Sequence, residues 1–79
     1  MTLDTKERRL TSRELKANLD VSGLTPEAIR TDLGFTQERL ASTLELDGVS
    51  RREDVWTVRE YLDDRIHAQG GRPRPYTLL

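Results

Sequence analysis

Helix-start and helix-stop signals recur so closely in the middle of this chain that only short helices fit between them. Thr25-Pro26-Glu27 is the clearest start: a threonine caps, a proline suits the first helical position, and an acid faces the positive end of the helix dipole. Gly34 stops that helix, and Thr36 is placed to cap the next one. These start and stop signals, together with the lack of a convincing strand, predict an all-α fold. We expect a small domain of four to five helices with an extended C-terminal tail.

A longer helix precedes this central pair. We expect it from about Asp4 to Asp20, followed by a stop at Gly23. Its start is open between two positions, because Asp4 and Thr11 each precede a glutamate by three residues, which is the capping-box spacing.

We expect the last helix to be the longest and to run from the capping box at Ser50 to about Gln69. Apolar residues recur along it at spacings of three, four and four, which predicts one buried face: Val55, Val58, Leu62 and Ile66. We therefore expect residues 1–70 to form one helical domain and residues 71–79 to form an extended, basic, proline-containing tail.

The composition argues against several functional classes. The chain has no cysteine, which excludes disulfides, thiolate zinc sites and cysteine nucleophiles. No apolar run approaches the roughly 20 residues of a membrane span, and no signal-peptide pattern is present, so we expect a cytoplasmic protein. His67 is the only histidine, and its neighbours Asp63 and Asp64 favour a surface ion pair over a metal site. We expect no enzyme, no cofactor and no metal.

The segment at about residues 25–46 has the pattern of a helix-turn-helix, as found in repressor-type DNA-binding proteins. Gly34 permits a left-handed turn, Phe35 is expected to fill the space beneath the turn, and Thr36 caps the second helix. Ile29, Leu33 and Leu40 are expected to close the small core between the two helices. A generic pair of helices is the alternative, because similar patterns occur in plain helical bundles.

If the second helix of this pair entered a DNA major groove, its outward residues would contact the nucleic acid. We expect Gln37, Glu38, Ala41 and Ser42 to face bases. Further candidates would lie near phosphates: Thr36, Arg39, Arg30, Arg51 and Arg52. Arg30 departs from the usual pattern, because a small residue normally follows Ile29, where the two helices approach most closely. Either its aliphatic stem packs in the gap, or the helices cross differently.

The distribution of charge weighs against this interpretation. Thirteen basic and fourteen acidic residues give a net charge of -1. Residues 25–46 hold two arginines against four acids, and residues 47–69 hold four arginines against six acids, so both segments are acidic. DNA affinity depends largely on basic side chains that neutralise phosphates, and here net positive charge is confined to the two ends of the chain.

Aromatic residues offer a different kind of surface. Trp56 and Tyr61 flank the apolar stripe of the last helix, and Tyr76 lies in the tail. All three are candidates for a partner interface, because aromatic residues are enriched at interface hot spots, although core packing is the commoner role of Trp56 and Tyr61. The tail is expected to dock on apolar surface, its own or a partner's, with a free tail and a nucleic-acid arm as the alternatives.

Three parts of the chain resemble a family of small bacterial proteins catalogued as domain of unknown function 2316. They are the run from Ser22 to Gly34, the run from Asp54 to Leu62 with the pattern Asp-x-Trp-x-x-Arg-x-Tyr-Leu, and the tail segment Arg74-Pro75-Tyr76-Thr77. The resemblance covers nearly the whole chain and implies a bacterial, repressor-like helical domain. It also implies that Trp56, Arg59 and Tyr61 are a family feature, and it supplies no catalytic residues.

Two functional hypotheses follow. The first is a DNA-binding transcriptional regulator that acts as a homodimer, since a core this small favours support from a partner. The second is a protein–protein interaction module that uses the same fold without binding DNA, through Trp56, Tyr61 and the tail.

Overall fold

A computed structural model describes residues 4–47 and 51–78, and within these ranges the chain forms helices and no strand. The helices are α1 (Thr5–Ser22), α2 (Pro26–Leu33), α3 (Gln37–Glu45) and α4 (Arg52–Ala68). The predicted all-α class is therefore confirmed. Residues 71–78 contain no helix or strand, as expected for an extended tail.

The capping box at Asp4 begins α1. The Asp4 carboxylate accepts the Glu7 backbone N–H at 2.8 Å, and the Glu7 carboxylate accepts the Asp4 backbone N–H at 3.0 Å. The alternative start at Thr11 is wrong, because Thr11 lies fully buried inside the helix. The helix ends at Gly23, which takes a left-handed conformation with φ of 70°, so α1 runs two residues beyond the predicted end. Its 18 residues exceed the 17 of α4, which was expected to be the longest helix.

The central pair of helices begins and ends as its local signals predict. The Thr25 hydroxyl caps α2 by accepting the Ala28 N–H, and the Thr36 hydroxyl caps α3 by accepting the Arg39 N–H at 3.1 Å. Gly34 ends α2 with φ of 71°, a left-handed conformation that suits glycine. Phe35 is buried beneath the turn at 7% exposure.

The start of α4 has no side-chain cap among the described residues. Arg51 occupies the N-cap position, and its side chain makes no capping hydrogen bond. The predicted cap, Ser50, lies outside the described residues. The predicted apolar face is confirmed, since all four of its members are buried: Val55, Val58, Leu62 and Ile66.

The core lies where α1 packs against α3 and α4, with α2 joined to it through α3. Leu15, Ile29, Val58 and Leu62 are completely buried at its centre. A buried hydrogen bond also ties α1 to the end of α3, because the Ser12 hydroxyl donates to the Leu44 carbonyl at 2.6 Å. In the described ranges, no helix has both the length and the apolarity needed to cross a bilayer.

Candidate functional site

Three helices meet around a groove of about 240 Å³ on the outward side of α3. Gln37 and Ala41 of α3 line it, together with Arg30 from α2 and Lys16 from α1. Its floor is apolar and its rim is charged, since the remaining lining residues are Pro26, Glu27, Leu40, Leu44 and Glu45. The groove thus brings together two residues expected to face bases and one expected to lie near a phosphate.

The other residues expected on this face of α3 lie outside the groove lining. Thr36 and Glu38 are exposed at the start of the helix, and Ser42 is half-buried. Because the Thr36 hydroxyl accepts the Arg39 N–H, it already serves the cap. Gln37, Glu38 and Ala41 therefore form the exposed face at the amino-terminal half of α3.

Arg30 of α2 lines the groove together with Gln37 and Leu40 of α3. It is half-buried, as expected for a packed aliphatic stem, and its backbone carbonyl accepts the N–H groups of Gly34 and Phe35. Its Nε atom is buried and has no hydrogen-bond partner among the described residues. Arg30 is thus a cation at the groove with an unused hydrogen-bond donor.

Arg39, which was predicted to lie near a phosphate, forms an ion pair within the chain. Its guanidinium donates two hydrogen bonds to the Asp54 carboxylate of α4, from Nε at 2.9 Å and from Nη2 at 2.7 Å. It also lies over the Phe35 ring, 4.1 Å from the centroid. The arginine side chain is 47% exposed and the aspartate side chain only 7%. Arg39 therefore joins α3 to α4 and also packs on Phe35 beneath the turn.

Electrostatics in this pair follow from its geometry. The hydrogen bonds from Arg39, aided by the nearby charge of Arg51, hold the pKa of Asp54 below its ordinary value, against the opposing effect of burial. The same pairing raises the pKa of Arg39. Arg51 and Arg52 themselves are exposed at the start of α4.

The three aromatic residues predicted for a partner interface are all half-buried and make contacts within the chain. The Tyr61 hydroxyl donates to the Asp32 carboxylate of α2, and burial, aided by this acceptor, raises the pKa of Tyr61. The Arg59 guanidinium lies over the rings of both Trp56 and Tyr76, at 4.9 and 4.7 Å from the centroids. The α4 residues Asp54, Arg59 and Tyr61 thus connect that helix to α3, the tail and α2.

The tail docks on the protein's own surface. The buried Asn18 side chain accepts the Arg74 backbone N–H at 2.6 Å and donates to the Arg74 carbonyl at 3.1 Å. The Glu14 carboxylate accepts both the backbone N–H and the hydroxyl of Thr77, and Tyr76 packs against the core. Arg74 and Thr77 are therefore held by α1 through polar bonds, in addition to the apolar contact expected.

Asn18→Ala is expected to release the tail while leaving the helices folded. We expect the Arg74 amide to exchange with solvent roughly tenfold faster or more, because its acceptor is lost and a terminal segment opens at low free-energy cost. Hydrogen exchange measured by NMR checks this. Glu14→Ala is the matched control, since it should speed exchange at Thr77 more than at Arg74. Unchanged protection of Arg74 in Asn18→Ala would contradict the observed docking.

Among the described residues, no cluster of three or more His, Cys, Asp or Glu side chains is arranged to hold a metal ion. His67 and Asp64 are exposed on α4, and Asp63 is half-buried.

The position of Asp54 in the sequence predicts that it is buried, although aspartate is usually exposed. Asp54 precedes Val58 by four residues and Leu62 by eight, which places it on the buried face of α4. Asn18 likewise follows the buried Leu15 by three residues on α1. Helical position therefore indicates that both polar residues are buried, and a buried polar residue requires a partner.

Comparison with known proteins gives one match. A sequence model of the family described as "uncharacterized protein conserved in bacteria (DUF2316)" matches residues 1–79. No curated protein and no solved structure matches the chain at a significant level. The match confirms the resemblance read from the Ser22–Gly34, Asp54–Leu62 and tail segments. Because it spans the full length, the chain belongs to this bacterial family of uncharacterised proteins, DUF2316.

Proposed function

We propose that the domain is a DNA-binding transcriptional regulator that reads the major groove with α3. The observation that carries the proposal is the exposed face of α3, where Gln37 and Ala41 line a groove whose rim carries Arg30 and Lys16 beside two acidic residues. A capped helix after a glycine turn with a buried plug is the arrangement that helix-turn-helix proteins use to present such a face.

The residues on this face have the chemistry needed to discriminate bases. The Gln37 amide suits the N6 and N7 atoms of adenine, the Glu38 carboxylate accepts from N4 of cytosine, and the Ala41 methyl suits the thymine methyl group. Arg30, Arg51 and Arg52 are placed for phosphates in this proposal. Arg39 takes a positioning role instead, because its guanidinium is bound to Asp54.

Selection of duplexes from a random library, followed by fluorescence anisotropy on the enriched sequence, tests the proposal. We expect Gln37→Ala to weaken binding by about 1–3 kcal/mol and to relax specificity at one base pair. Thr57→Ala, an exposed change on α4, is the matched control and should leave binding unchanged. No enrichment, together with no binding at about 50 mM salt, would refute DNA binding. Light scattering of the complex tests whether the bound form is a homodimer.

A protein–protein interaction module is the second candidate. It is supported by the exposed acidic side of α4, where Glu53, Glu60 and Asp64 recur at helical spacing. Such a face would attract a basic partner and repel nucleic acid. The two candidates differ in the charge of the ligand they bind. Raising the salt concentration weakens both, but only the first binds a polyanion.

A further inference from the structure

The solvent face of α1 carries four basic residues in a row. Lys6, Arg9, Arg13 and Lys16 follow one another at spacings of three, four and three, and all four are exposed. At about 100° per residue these positions fall within an arc of roughly 80°. They lie opposite the buried side of the helix. We call this surface the α1 basic stripe.

Most of this charge is not neutralised within the protein. Lys16 pairs with Glu45 of α3. For Lys6, Arg9 and Arg13, the described part of the chain provides no carboxylate within ion-pair distance. The stripe therefore presents three free cations and ends at a residue in contact with α3.

The stripe and the groove form one continuous surface. Lys16 belongs to both, because it lines the groove alongside Gln37 and Ala41. At 1.5 Å per residue the stripe extends about 15 Å from Lys6 to Lys16. A DNA strand carries one phosphate per about 3.4 Å of helix axis, so the stripe matches the axial span of about four phosphates.

We propose that the α1 basic stripe is the main phosphate-binding surface of this domain. It holds the DNA backbone beside the major groove that α3 enters. This inference rests on the proposed DNA binding and adds a specific source for its positive field. It accounts for an acidic α2–α4 segment, because the phosphate contacts then come from α1 and the ion-paired Arg39 is not required for them.

The experiment compares two variants with equal charge. Lys6→Gln/Arg9→Gln/Arg13→Gln removes the free cations of the stripe, and Arg65→Gln/Arg72→Gln/Arg74→Gln removes three exposed cations from α4 and the tail. Binding of a fluorescein-labelled mixed-sequence duplex is followed by anisotropy between about 50 and 200 mM salt. Circular dichroism and light scattering check fold and oligomeric state, and the single changes Arg9→Gln and Arg13→Gln repeat the test if a triple variant unfolds.

The salt dependence separates the outcomes. We expect the stripe variant to flatten the slope of log K against log salt by about 2.7 and to weaken binding at least about tenfold at low salt, since each phosphate contact contributes about 0.9 to the slope. We expect the control slope to be unchanged. Equal losses in both variants would overturn the stripe while leaving DNA binding intact, and a wild-type protein that does not bind would overturn both. A stripe variant that changes oligomeric state but not the slope would assign the stripe to contacts with a second copy.

Discussion

Leu62→Ala is expected to lower the free energy of unfolding by about 2–5 kcal/mol, because it removes three carbons from the centre of a closely packed core. Leu62 is 0% exposed and belongs to the one core cluster that joins α1, α3 and α4. A domain of 79 residues has roughly 4–12 kcal/mol of total stability. The variant should therefore lose a large part of that stability, with a fall in Tm of at least about 8 °C.

Urea unfolding followed by circular dichroism measures this change. Val21→Ala is the matched control, because Val21 is an apolar residue of α1 at 39% exposure, and its loss should cost no more than about 0.5 kcal/mol. If both variants were equally stable, Leu62 would not lie in the core that the structure describes. A lower urea midpoint with an unchanged m-value in Leu62→Ala would show a loss of stability without a change in the surface exposed on unfolding.

The helical architecture was predictable because its signals are local. Asp4 with Glu7, Thr25 with Pro26, and Gly34 with Thr36 each act on backbone groups within a few residues, so reading neighbouring positions suffices. The buried face of α4 was predictable for the same reason, since its spacing is a property of one helix. Only the order of helices follows from such signals, and their mutual packing does not.

The contacts that shape the candidate site are non-local, and residue type alone does not indicate them. Arg39 was predicted to lie near a phosphate, and its partner within the chain, Asp54, lies 15 residues further along, beyond the reach of a local pattern. Asn18 and Arg74 are 56 residues apart, so the polar docking of the tail has no local pattern. The α1 basic stripe is present in the sequence as a spacing, but the net charge of the whole segment averages it with the acids of α1.

Asp54→Asn is the second change for which we expect a large effect, a loss of about 1–3 kcal/mol at neutral pH, because charge-assisted hydrogen bonds to a buried carboxylate are replaced by weaker ones. Arg39→Met should destabilise the protein more than Asp54→Asn does. The aspartate side chain is only 7% exposed and would remain buried without its cation, whereas a guanidinium that is 47% exposed can return to water. Methionine keeps an apolar stem over Phe35, so the comparison isolates the charge.

The pH dependence of stability supplies the sign that separates an ion pair from simple packing. Arg39 lowers the pKa of Asp54 below its ordinary value of 3.8, so the stabilisation is fully present above about pH 4 and is lost as the pH falls through the lowered pKa. Urea unfolding at pH 7, 5 and 3 should therefore give a difference between wild type and Asp54→Asn that is constant at the first two values and smaller at the third. In Arg39→Met, burial raises the pKa of Asp54 against only the smaller opposing effect of Arg51, so acid should relieve the cost from a higher pH. A difference from wild type that stayed constant to pH 3 in both variants would mean that Asp54 contributes through its shape, and Arg39 would then be free to bind phosphate.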